Sequence, residues 1–476
     1  MSHYVTDAKD RVPIVQKAAF GAGHLVNNLM PGALGIFMFF LLTAFGMDPF
    51  LAGLLGGLPR LFDAITDPIM GFISDNTKSR FGRRRPYIFV GAIVSGVLFA
   101  LLWQLDAENS QMYNFFYFLG FSLLYLIGNT IFATPLIGLG YEMTSDYNER
   151  TRLMAFSQTL GQVAWMIVPW FWVIIANPNL FETQAEGVRT LSVIVAGICI
   201  VLGVLPAIFC KGIDSSKMEN RKELTFRTIF SNLKDLLQGI VQVSRNKPFM
   251  RLCGATFLVF NGFQMVASFS YFIIVFYMFK GDYGLAGNWP AWFSTVSAIV
   301  TAFLVIPVIS AIANKVGKRQ AFIISTALSI IGYLLKWWGF NPEIPWLIFL
   351  PIPLMSFGIG GLFTLMMSMT ADVCDLDELN NGMPRKEGTF GAIYWWMVKL
   401  GQALALVLGG LVLKLVGFDQ NVSLQTAETI TRLRIADIAI PAFTALLAIL
   451  VMLKYDLTEE RAREIKATLE SRRGKL

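Results

Sequence analysis

Charge is scarce in this chain of 476 residues: Asp, Glu, Lys and Arg together make up 15%, against 55% for the hydrophobic types. A soluble protein of this size needs far more polar surface, so the soluble classes are excluded at the outset. Cysteine is nearly absent. Its four copies, Cys199, Cys210, Cys253 and Cys374, lie in or at the ends of apolar runs, without the spacing of a disulfide framework or a zinc site. A cleavage pattern of small residues is also missing after "MSHYVTDAKDRVPIVQK". The first apolar run therefore reads as a retained helix rather than a leader peptide.

Long apolar runs fill the rest. Crossing a hydrocarbon core takes about 20 helical residues, and a backbone there must satisfy its own hydrogen bonds, which these lengths allow for helices. Twelve runs qualify, at 17–46, 49–74, 86–106, 112–142, 152–176, 189–210, 249–279, 290–314, 320–340, 344–371, 388–417 and 435–454. The expected fold is an all-α polytopic membrane protein with twelve transmembrane helices.

Basic residues set the expected orientation, because positive loops resist translocation. The connection after the second run holds Lys78, Arg80, Arg83, Arg84 and Arg85, whereas "DAENSQMYN" after the third holds none. Lys211 to Arg251 adds nine basic residues and the tail from Lys454 adds seven. Both termini are expected in the cytoplasm of a bacterial cell, with the chain multi-pass in the inner membrane. The formal net charge of +7 is then a topology signal, and no nucleic-acid partner is implied.

The chain repeats itself. "RFGRRRPYIFVG" (Arg80–Gly91) is echoed by "KVGKRQAFIIST" (Lys315–Thr326) at an offset of 235 residues, close to half the length. The expected organisation is a six-helix bundle over 1–210, a cytoplasmic linker over 211–248, a second six-helix bundle over 249–454 and a charged tail over 455–476. This 6+6 pseudo-symmetric plan resembles that of the major facilitator secondary transporters. In the linker, "RTIFSNLKDLLQGIVQVSR" has the spacing of an amphipathic surface helix. The tail "TEERAREIKATLESRRGKL" reads as a solvated charged helix with a stabilising or regulatory role.

Against this background, "RLFDAITDP" stands out. Asp63 and Asp67 are i and i+4, so their carboxylates share one helix face, about 18 and 12 Å along the helix from Asp75 at its cytoplasmic end. Carboxylates at that depth cost a few kcal/mol each and oppose joint ionisation. Arg60 one turn away, Lys399 in "WWMVKLGQ", or a bound Na⁺ or H⁺ could compensate them. A permanent interhelical ion pair and a cation site both satisfy the pattern. Thr66 adds a hydroxyl, and the set of hard oxygens suits Na⁺.

Several motifs in order along most of the chain resemble the glycoside-pentoside-hexuronide:cation symporter family. They are "GAGHLVNNL", "DAITDPIMGFISDNTKSRFGRRRP", "EMTSDYNERTRL", "ADVCDLDELNNGMPRKEG" and "YWWMVKLGQALA". The resemblance implies cation-coupled sugar transport by alternating access, with substrate at the midplane. It places the cation on Asp63, Thr66, Asp67 and Thr130, where Thr66 replaces the asparagine of the family's melibiose carriers, and makes Lys399 an intramembrane coupling residue. On the sugar side the chain departs. Where those carriers use two aspartates and an arginine, it has Asn28, Ala133 and Gln158, and Ile137 replaces a tryptophan. With Asn28, Gln158, Gln162, Asn261 and Gln264 neutral and Arg60, Lys399 and His24 able to be positive, an acidic saccharide such as a hexuronide is expected. A neutral glycoside is the alternative.

Other candidates read both ways. His24 suits proton coupling or an interhelical hydrogen bond, and Tyr394, Trp395 and Trp396 suit pyranose stacking or membrane packing. Asp75 with Arg83 and Arg84 reads as a cytoplasmic gating latch. Pro31, Pro59, Pro68 and Pro135 are expected to interrupt the first, second and fourth helices. A metal-diphosphate enzyme would need its carboxylates near a helix end with basic partners, whereas Asp63 is expected near the midplane, and "DLDE" at 375–378, the nearest second acidic cluster, is assigned to a loop. No enzyme activity, no cofactor and a monomer are expected. An uncoupled facilitator and a lysolipid symporter of related fold are the rival functions.

Overall fold

A computed structural model describes residues 11–144, 147–212, 244–381, 387–419 and 421–473, with scattered positions between 215 and 241. The linker's amphipathic stretch lies outside the described residues. Those described form helices and connections, with no strand among them. The chain divides into two compact units, Met1–Lys234 and Asp235–Leu476.

The first unit holds α1 (Ile14–Thr43), α2 (Pro49–Asn76), α3 (Arg85–Leu102), α4 (Gln111–Glu142), α5 (Tyr147–Ile167, resumed after Pro169 as Trp170–Ala176) and α6 (Gln184–Phe209). In the second, α7 spans Lys247–Phe272 with a π turn to Met278, and α8 spans Trp289–Val300, then Thr301–Val305 and Ile306–Val316. There follow α9 (Lys318–Gly339), α10 (Ile352–Asn381), α11 (Glu387–Leu415), α12 (Ala427–Leu453) and α13 (Glu459–Arg473). Among the described residues, eleven helices are long and apolar enough to cross a membrane. Of the twelve expected spans the exception is α2, diluted by Arg60, Asp63, Asp67, Asp75 and two internal prolines.

Local chemistry sets the starts. Asp48 accepts hydrogen bonds from the amides of Phe50 and Leu51 just before Pro49, Ser110 caps α4, Asn246 caps α7 and Thr426 caps α12. Each side chain satisfies an amide that the helix leaves open, and proline at the first turn has none to satisfy. Thr426 starts α12 about two turns before the expected boundary.

The sequence repeat is visible as a structural one. Gly82 and Gly317 both turn the chain at positive φ (91° and 83°), a conformation open to glycine. The basic residues that follow do matching work. Arg85 donates to the carbonyls of Ala207 and Ile208 at the end of α6, and Arg319 donates to those of Met452 and Leu453 at the end of α12. Lys318 pairs with Asp372 on α10 at 2.7 Å, as Arg83 and Arg84 pair with Glu142 on α4.

Three expectations need correction. The prolines do not interrupt α1, α2 or α4, which run through Pro31, Pro59, Pro68 and Pro135; packed neighbours tolerate the missing amides at membrane depth. "DLDE" is helical, because α10 continues to Asn381 with Leu376 and Leu379 packed on the unit's apolar core. The tail helix α13 is not simply solvated: it packs against α10 and buries Ile465 and Leu469 in that core.

Candidate functional site

In the first unit, α2 lies against α4. One turn of α2 carries Asp63, Thr66 and Asp67, and α4 supplies Thr130. The Thr130 hydroxyl is 3.1 Å from Asp63 Oδ1, 2.9 Å from Asp67 Oδ1 and 3.3 Å from Thr66 Oγ1. Thr66 Oγ1 in turn lies 3.2 Å from the Asp63 carbonyl. Asp63 is 5% exposed and Thr130 2%, whereas Thr66 and Asp67 are half-buried. Thr130 has one hydroxyl proton and can donate to only one carboxylate at a time. The two carboxylates converge on that one hydroxyl with the Thr66 hydroxyl beside it, a set of hard oxygens of the kind that a proton or a small hard cation binds. Arg60 precedes Asp63 by three residues on α2, one helical turn.

The expected substrate residues are distributed differently. On α1, the Asn28 amide donates to the His24 carbonyl at 2.8 Å, and its side-chain oxygen accepts from Trp165 Nε1 of α5 at 3.0 Å. Asn28 is thus occupied in joining α1 to α5. His24 is buried, edge-on to Phe20 at 4.7 Å. Gln162 is exposed on α5, and the Gln158 side chain lies outside the described residues.

In the second unit, buried Asn261 donates to the Gly401 carbonyl at 3.3 Å, tying α7 to α11, and Gln264 is half-buried. Lys399 is half-buried on α11. Tyr394 is wholly enclosed in the core and has no face open to a ligand. Trp395 and Trp396 are exposed, Trp395 stacking on Phe363 at 6.4 Å.

The latch residues do meet. Arg84 Nη2 is 2.7 Å from Asp75 Oδ1, and Arg83 Nη1 donates to the Asp75 carbonyl at 3.3 Å. Both arginines also hold Glu142 at the end of α4, Arg84 through Nε at 2.9 Å. Glu142 opens the "EMTSDYNERTRL" motif, and its acidic position beside the basic burst was the signal that could have revealed it. The bridge ties the end of α2 to the end of α4 and passes over Gly138, where a Cβ would lie 0.9 Å from Arg84 Nη1. Gly138→Ala must therefore displace the guanidinium. Transport rate is expected to change severalfold while equilibrium cation binding at the Asp63 cluster is retained; an unchanged rate would remove the gating role.

Sequence reasoning missed a second ionisable cluster entirely. Lys336 on α9 pairs with Asp437 on α12, each side chain 1% exposed, and Lys336 Nζ lies 3.3 Å from the Ser270 hydroxyl of α7. Arg434, within electrostatic reach of Asp437, sits over the rings of Tyr277 (4.1 Å) and Trp337 (4.2 Å). A single charge inside each of two apolar runs was the only signal available.

The two all-helical units have the major facilitator fold. A bacterial homologue of the human lysosomal transporter Spinster shares that fold, with TM-score 0.63, 15% identity and coverage of 96% of this chain and 97% of that one. The chain belongs to the MFS/sugar transport protein family, which it matches over residues 19–459, and within it to the glycoside-pentoside-hexuronide:cation symporters. It is 24% identical to the glucuronide carrier protein homolog of Escherichia coli over 95% of both chains. It is also 22% identical to the sodium-dependent lysophosphatidylcholine symporter 1 of Gallus gallus, over 98% of this chain and 91% of that one. It is a transporter, not an enzyme.

Proposed function

We propose that the protein carries a saccharide across the bacterial cytoplasmic membrane together with Na⁺ or H⁺, by alternating access. The observation that supports this most is the Thr130 hydroxyl set between the Asp63 and Asp67 carboxylates, beside Thr66. Those four side chains would hold the cation. Its charge would relieve the repulsion between the carboxylates, and Arg60 would reinforce the effect. Cation binding then raises saccharide affinity, and by linkage the saccharide raises cation affinity equally. The Asp75–Arg84–Glu142 bridge would close the cytoplasmic side between cycles, with both termini on that side.

An acidic saccharide is the favoured cargo. The support is the absence of a carboxylate at Asn28 and Ala133, together with the likeness to the Escherichia coli glucuronide carrier protein homolog. Uptake of labelled glucuronides, neutral glycosides and a lysophospholipid into proteoliposomes tests this. Accumulation of a glucuronide, competed by other acidic sugars, is the expected result. Accumulation of the neutral glycosides alone would remove the acidic reading, and lysophospholipid alone would remove the saccharide.

A further inference from the structure

We infer that Trp165 is a stacking platform for a pyranose ring and that Asn28 positions it; this rests on the saccharide reading above. Gln162 is about 22 Å along α5 from its first residue, and Asn28 about 21 Å along α1, so both sit at membrane depth. One face of α5 is packed: Ser157, Gly161, Ala164 and Val168 are buried. Gly161 fits directly beneath Asn28, where a Cβ would come 2.9 Å from Nδ2. The adjoining exposed face carries Thr159, Gln162 and Trp165. Polar side chains exposed at that depth belong against a water-filled cavity, not against acyl chains.

Trp165 is 42% exposed on this face, yet its one polar atom is already used, Nε1 donating to Asn28 Oδ1 at 3.0 Å. An aromatic anchoring at the lipid interface would turn that N–H toward water or headgroups. Here it points inward and fixes the ring, so what the cavity meets is apolar indole surface beside the Gln162 amide. Such a surface matches a pyranose, whose C–H face packs on an aromatic ring while its hydroxyls bond to neighbouring amides. Asn28, with its carbonyl taken by Trp165 and its amide by His24, is thereby a positioning residue rather than a sugar ligand.

The test is saccharide uptake by W165F, W165L, W165A, N28A and N28D in proteoliposomes, with thermal stabilisation by Na⁺ or Li⁺ as a readout of fold and cation site. W165A and W165L are expected to raise KM at least tenfold with kcat within threefold, whereas W165F, which keeps an aromatic face but loses the bond to Asn28, should raise KM only about threefold. N28A loses the same bond and should match W165F, and N28D, whose carboxylate oxygen still accepts the indole N–H, should restore KM for a neutral pyranoside but not for an acidic one, which the added charge repels. Cation stabilisation should be unchanged throughout. An unchanged KM in W165A, or wild-type behaviour in W165L, would overturn the platform while leaving saccharide transport in place. A wild-type protein that carries no saccharide would overturn both readings. Should W165A fail to fold, the contrast between W165F and W165L still decides.

Discussion

Asparagine at Asp63 or Asp67 is expected to abolish gradient-driven accumulation while leaving the protein folded. Each carboxylate contributes a charge-assisted interaction to whatever cation completes the cluster, worth up to about 3 kcal/mol, so losing one weakens cation affinity roughly 100-fold. The substitution keeps an oxygen acceptor for Thr130, which lies within 3.1 Å of both carboxylates, so packing between α2 and α4 is preserved. Downhill exchange of substrate should survive better than uphill accumulation, because only the latter requires the cation to be counted in every cycle. Thr130 sharpens the test. Thr130→Ser keeps the bridging hydroxyl and should transport nearly as the wild type, whereas Thr130→Val, equal in shape but without the hydroxyl, should share the aspartate defect. Equal accumulation by the serine and valine variants would mean that the hydroxyl is incidental.

The second large effect is on stability and lies in the other unit. Lys336 and Asp437 are each 1% exposed and paired across α9 and α12. Removing one partner strands a buried charge, at a cost of about 3–5 kcal/mol, whereas replacing both by apolar residues of similar volume is often neutral or stabilising. Lys336→Met and Asp437→Leu singly should therefore lower the melting temperature sharply in detergent, and the double variant should recover most of the loss. The first unit provides an internal comparison. By the 235-residue repeat its matching helices are α3 and α6, which meet through Gly96 against Ile200 and Gly203 against Ala92, and the positions matching Lys336 and Asp437 are Leu101 and Leu202. The architecture can thus close this contact without ions. Non-recovery in the double variant would show that the pair does more than hold two helices together.

How much of this was legible depended on whether the signal was local. Asp63 and Asp67 announced themselves because two carboxylates one turn apart cannot be reconciled with an apolar run unless something compensates them. The latch was half legible: Asp75, Arg83 and Arg84 lie within ten residues, but Glu142 is 58 residues from Arg84, and the path over Gly138 depends on how α4 packs. Lys336 and Asp437 are 101 positions apart; Lys336 has no charged neighbour in its own run, and the neighbour of Asp437, Arg434 one turn earlier, carries no sequence signal of a partner on α9. Asn28 stood out in the first helix and was expected to bind substrate, but its hydrogen bond to Trp165 spans 137 positions and no periodicity reports it.

Boundaries failed where tertiary packing overrode local composition. The acidic run at 375–378 looked like a loop because it is charged and leads into "NNG", but Leu376 and Leu379 share a helical face that α13 covers with Ile465 and Leu469. The charges of α13 hid that apolar face in the same way. The prolines misled for the opposite reason. Their local cost is real in water, but inside a packed membrane helix the alternative is an unsatisfied backbone, and the helix persists.

The most direct test of the central claim is the accumulation ratio of a transported saccharide in proteoliposomes with an imposed Na⁺ gradient, an imposed H⁺ gradient, or neither, for the wild type and for Asp63→Asn with Asp67→Asn. Coupling at this cluster predicts that one of the two gradients drives the wild type well above unity, and that the double variant stays at unity under both. A wild-type ratio indifferent to both gradients, or a double variant that accumulates as the wild type does, would contradict it.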